Sequence, residues 1–321
     1  MKVIVTGATG FVGQHLVRKL LGDAHQVICL VRRNNLLAQK LKDMGASIVV
    51  GNLSQIRDAA ETIRAADIVY HLAGSVFSKN KKELFQVNCE GTSNLYGILK
   101  GSRVKKFIYL SSIAAVGPSA ITRLDETMPS HPISHYGESK RAAEAALKEK
   151  LSEVQKDIVI IRCPLIYGED MNEESRLKFL KRKIANNTFC FIGRGDNLIS
   201  LCYVKNLVLF LVQLLTMSTS ELDIFHIADA ASVSFKALVW AIADTLNVPR
   251  PQRTISPVVA YIIGLLGEGL GLIFHEKVFL TRERMKEVMN SWDVDVSKAL
   301  SFGYRPQQIT LQQLGELAIR Q

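Results

Sequence analysis

The sequence predicts an α/β protein: a doubly wound parallel sheet followed by a smaller, mostly helical carboxyl-terminal lobe. Three observations carry that expectation. Short β-rich runs alternate with helical runs through residues 1–165. Several of the β-rich runs are apolar throughout, as strands are when a parallel sheet is covered on both faces. A glycine-rich turn joins the first strand to the first helix, and a helix amino terminus placed there can receive an anion.

The elements follow in order. Strands are expected at Lys2–Thr6, Gln26–Val31, Ser47–Val50, Ile68–Leu72, Lys106–Leu110 and Ile158–Arg162. Helical periodicity fills the gaps, for example at Phe11–Leu21 and Lys82–Lys100. After residue 166 the rhythm breaks. Isolated strand-like pieces at Phe189–Ile192 and Ile224–Ile227 separate helices at Leu207–Leu215, Phe235–Leu246, Pro257–Leu272 and Leu311–Ile319.

Composition narrows the class. The chain has 321 residues, 48% apolar and 22% charged, values of a globular protein rather than a disordered or fibrous one. Its five cysteines (Cys29, Cys89, Cys163, Cys190, Cys202) are odd in number and widely spaced, with no CxxC or Cys/His cluster. Reduced thiols, a cytoplasmic location and no bound metal are therefore expected. Met1-Lys2 runs straight into VIVTG, which reads as a strand and not as a signal peptide.

One segment tests the soluble reading. Ile255–Phe274 is as long as a membrane span, yet it carries Pro257, Glu268 and the glycines 264, 267, 269 and 271. A buried or surface-lying helix is expected, with a weak membrane-surface contact as the alternative. The formal charge is +10, with basic clusters at Lys79–Lys82, Lys100–Lys106 and Arg176–Lys183. These read as solvated helix faces or as attraction for anionic ligands or lipid. No aromatic residues interleave with them and no binding module is visible, so no nucleic-acid partner is expected.

The first strand runs into TGATGFVGQHL. Gly7, Gly10 and Gly13 allow a tight turn and let backbone N–H groups reach a pyrophosphate at the helix terminus. The strand–turn–helix context is what gives the glycine spacing its weight. At the end of strand two, HQVICLVRRN has Val31 where a carboxylate would hold the ribose hydroxyls of NAD, then Arg32 and Arg33. A guanidinium grips a 2′-phosphate bidentately, so NADP is expected as cofactor, with NAD as the alternative.

Strand five ends in Ser111 and Ser112, at the edge where such sheets bind ligands. Tyr136 follows 24 residues after Ser112, and Lys140 stands four residues further, on the same helix face. A free tyrosine titrates near about 10, and a neighbouring ammonium would lower that value. Tyr136 then suits proton exchange, Lys140 tunes it and Ser112 positions the reacting oxygen. His71, His131, His135 and His226 show no metal spacing and read as core, loop or surface residues, with His135 bordering Tyr136.

The chain resembles the extended short-chain dehydrogenase/reductase superfamily over nearly its whole length. The resemblance rests on TGATGFVG, VYHLAG (Val69–Gly74), VNCEGTSNL (Val87–Leu95), HYGESK, RCPLIYGED (Arg162–Asp170) and FGYRP (Phe302–Pro306). It implies a Rossmann dinucleotide-binding domain over 1–168, with a returning segment near 200–230, and a substrate lobe from 169–199 and 231–321. It implies Ser112, Tyr136 and Lys140 as the catalytic set. The cofactor would meet Gly7, Thr9, Gly10, Phe11, Val12, Gly13, Arg32, Asn52, Leu53, Leu72, Ala73, Gly74, Asn88, Tyr136, Lys140 and Pro164. Asn52 and Lys205 stand where the family commonly has aspartates, and Leu198-Ile199-Ser200 replaces an arginine–aromatic pair frequent in nucleotide-sugar enzymes.

Three functions follow from the resemblance. The first is an NADP-dependent oxidoreductase acting on a ketone or secondary alcohol of a largely apolar small molecule, similar to dihydroflavonol reductases and 3β-hydroxysteroid dehydrogenases. The second is a nucleotide-sugar epimerase or dehydratase with tightly bound NAD. The third is a non-catalytic nucleotide-sensing or assembly protein. A homodimer joined through the helices beginning near Lys82 and Tyr136 is expected, as in many members of the superfamily.

Overall fold

The computed structural model describes residues 1–76, 80–119, 122–171, 175–274 and 281–319, with the side chains of 267–274 and 319 excepted. Lys79 and the side chain of Glu268 lie outside the described residues, as does the burial of glycines 267, 269 and 271. A seven-stranded sheet forms the centre: β1 (Lys2–Thr6), β2 (Gln26–Val31), β3 (Ser47–Val50), β4 (Ile68–His71), β5 (Lys106–Ser112), β6 (Asp157–Cys163) and β7 (Leu222–His226). The spatial order is β7-β6-β5-β4-β1-β2-β3. Every pairing is parallel. The order reverses beside β1, and a doubly wound sheet opens its ligand crevice at that point.

The unbroken apolar strands have a two-sided explanation. Successive side chains of a strand point to opposite faces. Val3 and Val5 of β1 pack with Leu16, Val17 and Leu20 of α1 (Phe11–Gly22) on one face. Ile4 packs on the other with Leu95, Tyr96 and with Ala143 and Leu147 of α2 (His135–Val154). Each such side chain, fully buried, contributes roughly 1.5–3 kcal/mol.

The later helices of eight residues or more are α3 (Arg176–Ala185), α4 (Val204–Gln213), α5 (Phe235–Thr245), α6 (Pro257–Phe274), α7 (Arg282–Met289) and α8 (Leu311–Ile319). Of these, α4 lies against α1, α5 packs on α3 and α8, and α6 packs on α7. Among the described residues no helix is long and apolar enough to cross a membrane.

Two expected elements are corrected. The single helix expected over Lys82–Lys100 is broken into a turn of helix at Lys81–Phe85, one π turn at Gln86–Glu90 and a helix at Gly91–Gly97. The Thr92 hydroxyl donates to the Asn88 carbonyl at 2.6 Å and so inserts into the regular ladder. The piece expected to stand isolated at Ile224–Ile227 is β7, the edge strand of the main sheet, paired along β6 from Leu222–Ile158 to His226–Arg162. Its partner lies some sixty residues away in sequence, beyond any local pattern.

Candidate active site

Strands β1, β4, β5 and β6 end at one edge of the sheet, and the turns that leave them build the site. Gly7 has φ +69, and a Cβ there would sit 2.6 Å from the Ala73 nitrogen. A Cβ at Gly13 would sit 2.2 Å from the Gly7 carbonyl oxygen. The Gly10 N–H donates to the Gly7 carbonyl at 2.9 Å, closing the turn. Helix α1 then starts with no side-chain cap and no acidic residue in its first turn. Its first N–H groups are left for an anion, which the helix dipole also favours. A dinucleotide fits this cradle.

The predicted cofactor residues fall around it. Thr9, Gly10 and Phe11 are half-buried and Val12 and Gly13 buried in the turn. Leu72 and Ala73 abut Gly7, and a Cβ on Gly74 would lie 3.4 Å from the Lys140 ammonium. Arg32 and Arg33 are exposed just past β2 and pair with no carboxylate among the described residues. Exposed Asn52 caps the turn at Leu53 by accepting from the Ser54 N–H. Pro164 is half-buried directly after β6. Asn88 differs from expectation. Its amide oxygen accepts from Ser75 N–H at 2.8 Å, while its nitrogen donates to the Ser75 carbonyl and to the Ser139 hydroxyl. It ties the Gly74–Ser75 loop to α2, and its amide is committed to the protein.

The strand pleat separates the two serines. Ser112 turns to the site, where its hydroxyl accepts from Ala114 N–H at 3.2 Å and lies near enough to the Tyr136 phenol to pull its titration down. Ser111 turns inward and donates to Glu144 at 2.5 Å. Glu144 also holds Arg162 in a buried ion pair at 2.7 Å. Tyr136, one residue into α2, is partly exposed.

Lys140 is 4% exposed, and its ammonium is held by strand β5. Its ammonium donates to the Leu110 carbonyl at 2.8 Å and to the Tyr109 hydroxyl at 3.2 Å, and it lies 4.6 Å from the Tyr109 ring centroid. This corrects the expected electrostatics. Burial pushes the Tyr136 phenol up to about 12, against downward pulls from Ser112 and Arg176. Burial also brings the Lys140 ammonium down to about 8, opposed by the carboxylate of Glu144 one turn along. The lysine is partnered by Tyr109, so in this state it does not favour the phenolate.

Residues missed by the sequence reading complete the site. The Tyr109 ring stacks on His71 at 5.5 Å, and His71 bridges Thr92 at 2.9 Å and Thr6 at 2.7 Å. Burial, with Lys140 adding to it, holds His71 neutral, down to about 3. A polar chain thus runs from β1 to the lysine beneath the cradle. Across the mouth, Arg176 pairs with Glu287 at 2.7 Å. Burial and Arg176 draw Arg284 down to about 10. His135 bonds Glu138 on its own helix and Glu283 on α7. Helix α7 therefore closes over the amino terminus of α2. Apart from His135–Glu138, no local spacing marks these contacts, because the side-chain pairs meet across as much as 148 residues.

Comparison with known proteins extends this picture. A family model described as "NAD dependent epimerase/dehydratase family" matches residues 3–228. The chain is 26% identical over 314 residues to the N-acetyl-alpha-D-glucosaminyl-diphospho-ditrans,octacis-undecaprenol 4-epimerase of Escherichia coli O157:H7, covering 94% of this chain and 89% of that protein. It is 29% identical over 244 residues to a sterol-4-alpha-carboxylate 3-dehydrogenase (decarboxylating) of Dictyostelium discoideum, covering 73% of each. Its fold matches that of UDP-glucuronic acid 4-epimerase from Bacillus cereus in complex with NAD, with a TM-score of 0.78, 20% identity and coverage of 99% and 94%.

Proposed function

This chain belongs to the NAD dependent epimerase/dehydratase family, an NAD(P)-dependent enzyme of the extended short-chain dehydrogenase/reductase type, and from that premise we propose its substrate chemistry. It reduces a ketone, or oxidises the matching secondary alcohol, on a largely apolar, lipid-like molecule, with NADP(H) as cofactor. The observation that carries this reading is the end of β2, where Val31 replaces an acid and two guanidinium groups follow that have no carboxylate partner among the described residues. The undecaprenol and sterol named for the two relatives support an apolar substrate.

The residues divide the work as follows. The turn Gly7–Gly13 would hold the pyrophosphate, Arg32 a 2′-phosphate, Asn52 and Leu53 the adenine side, and Leu72–Gly74 and Pro164 the nicotinamide half. When bound, the cofactor supplies or accepts the hydride. Ser112 holds the substrate oxygen by its hydroxyl. Tyr136 gives its proton to that oxygen during reduction and recovers one from solvent. Lys140, leaving Tyr109, would bind ribose hydroxyls and bring its charge toward the phenol. Residues 169–199 and 231–321 would enclose the substrate. In this reading the enzyme works in the cytoplasm as a homodimer, sharing the face formed by the helices that start at Lys81 and His135.

A second reading is a sugar epimerase with retained NAD. Arg176 and Arg284, side by side near Tyr136, favour it, because paired guanidinium groups suit a diphosphate. The test is calorimetric binding of NADPH and NADH to cofactor-free protein, with Arg32→Ala beside the wild type. NADPH should bind at least tenfold more tightly, and Arg32→Ala should erase the difference. NADH preference, or NAD that cannot be washed out, would overturn the Arg32 assignment and bring the epimerase forward.

A further inference from the structure

Helix α6 wears its apolar residues outward. Val258, Val259, Tyr261, Ile262, Leu265 and Leu266 are 42–69% exposed. Residues 258, 259, 262, 265 and 266 follow the i, i+1, i+4, i+7, i+8 pattern, which gathers them into one stripe. The inner face is small: Ala260 is fully buried, and Gly264 packs so close to α7 that a Cβ would meet the Arg282 nitrogen at 3.0 Å. Over residues 257–266 the helix is thus seated on the protein by Ala260 and Gly264, with Ile263 half-buried, and presents six large apolar side chains to the outside. A contiguous exposed apolar patch marks an interaction surface.

Cations ring the start of this helix. Exposed Arg253 precedes it and reaches the Asn187 carbonyl, just beyond α3. Exposed Lys183 lies in the last turn of α3. Arg194, 91% exposed along its side chain, follows the strand Phe191–Ile192 that pairs with Thr254–Ile255. Among the described residues, Glu283 is engaged with His135 and Glu287 with Arg176, while Asp196 offsets the charge of Arg194. The chain as a whole carries +10.

We propose that this face docks the enzyme on an anionic phospholipid bilayer, with α6 lying in the headgroup region and Lys183 and Arg253 meeting lipid phosphates. A second copy of the chain would bring the same cations against themselves, whereas an anionic surface complements them. Position agrees with the chemistry. Helix α6 rests on α7, and α7 contributes Glu283 and Glu287 to the rim beside Tyr136. A substrate drawn from the bilayer would then enter within one helix of the phenol. The proposal rests on the lipid-like substrate argued above, but its test does not.

The experiment is vesicle flotation of the full chain without substrate or cofactor. Vesicles are phosphatidylcholine alone, or phosphatidylcholine with phosphatidylglycerol. The wild type should float with the anionic vesicles at low salt and bind the neutral ones far less. The Ile262→Asp/Leu266→Asp variant should lose at least tenfold in binding while keeping its NADPH affinity. Lys183→Gln and Arg253→Gln should each weaken binding by about fivefold, from roughly one headgroup attraction lost. Wild-type protein that ignores anionic vesicles overturns the proposal. So does a doubly charged variant that floats as well as the wild type. A dimer split by the same two aspartates, with no flotation, would assign the face to a second copy. Failure to reduce apolar ketones would sink the substrate reading and leave the flotation result standing.

Discussion

Helices α2 and α6 have similar lengths, 20 and 18 residues, and the protein treats them in opposite ways. α2 is polar in sequence, yet it buries Ser139, Lys140 and Glu144. α6 is apolar in sequence, yet it exposes six large apolar side chains. Each inversion costs stability in isolation: a buried charge must be desolvated, and an exposed leucine forgoes burial. Such inversions mark where an element answers to something other than folding. In the reading proposed above, for α2 it is the chemistry at the carboxyl edge of the sheet, and for α6 it is an anionic surface.

The largest effect expected on the α2 side is chemical. Tyr136→Phe removes the proton donor and leaves the ring, so turnover should fall by roughly 10²–10⁴-fold, the usual worth of a positioned acid or base. NADPH affinity should stay within about threefold, since the phosphate cradle is untouched. Steady-state kinetics and calorimetry on the same preparation separate the two. Equal losses in both would mean that Tyr136 holds the cofactor and that the proton comes from elsewhere.

How much of this was legible depended on distance along the chain. Gly7, Gly10 and Gly13 lie within seven residues, so their spacing exposes the turn and the helix that follows it. Tyr136 and Lys140 are equally local. What lay between elements was hidden. The sequence put the lysine on the tyrosine's helix face, but the amine turned to Tyr109, which comes from a strand 31 residues earlier. Ser111 and Ser112 were adjacent letters, and only the pleat of β5 assigned one to Glu144 and the other to Tyr136. The π turn around Asn88 needed Thr92 and Ser139 in place before it had a cause. The lobe was least legible, because Arg176, Glu283 and Glu287 acquire meaning only when α7 closes over α2.

The buried charge on α2 gives the next prediction. Lys140 is lowered from 10.5 to about 8 by burial, so the folded state holds its proton less tightly than the unfolded chain. At pH 7 the full cost of that buried ammonium is present, about 3 kcal/mol from the size of the shift. As pH rises from about 8 toward 10.5, the folded protein is deprotonated first and the cost is relieved, so stability gained from this group increases. Lys140→Met should therefore unfold later than wild type in urea at pH 7. The gap should close as pH approaches 10.5, where the unfolded lysine also loses its proton. A gap that is constant with pH would place the lysine's charge in water and not beneath the cradle.

The smallest expected effect belongs to α6, and its smallness is informative. Leu266 is 62% exposed, so Leu266→Asp removes little buried area and places a carboxylate where water already reaches. Surface substitutions of that kind stay within about 0.5 kcal/mol. The urea midpoint and slope should match the wild type across a hundredfold range of protein concentration. Leu147, buried on the opposite helix, provides the contrast, since an uncompensated carboxylate there would meet only the apolar residues around it. A loss above about 2 kcal/mol for Leu266→Asp would mean that the stripe is covered in solution. If that loss grew with protein concentration, the cover would be a second copy, and α6 would then bury its apolar side as α2 buries its polar one.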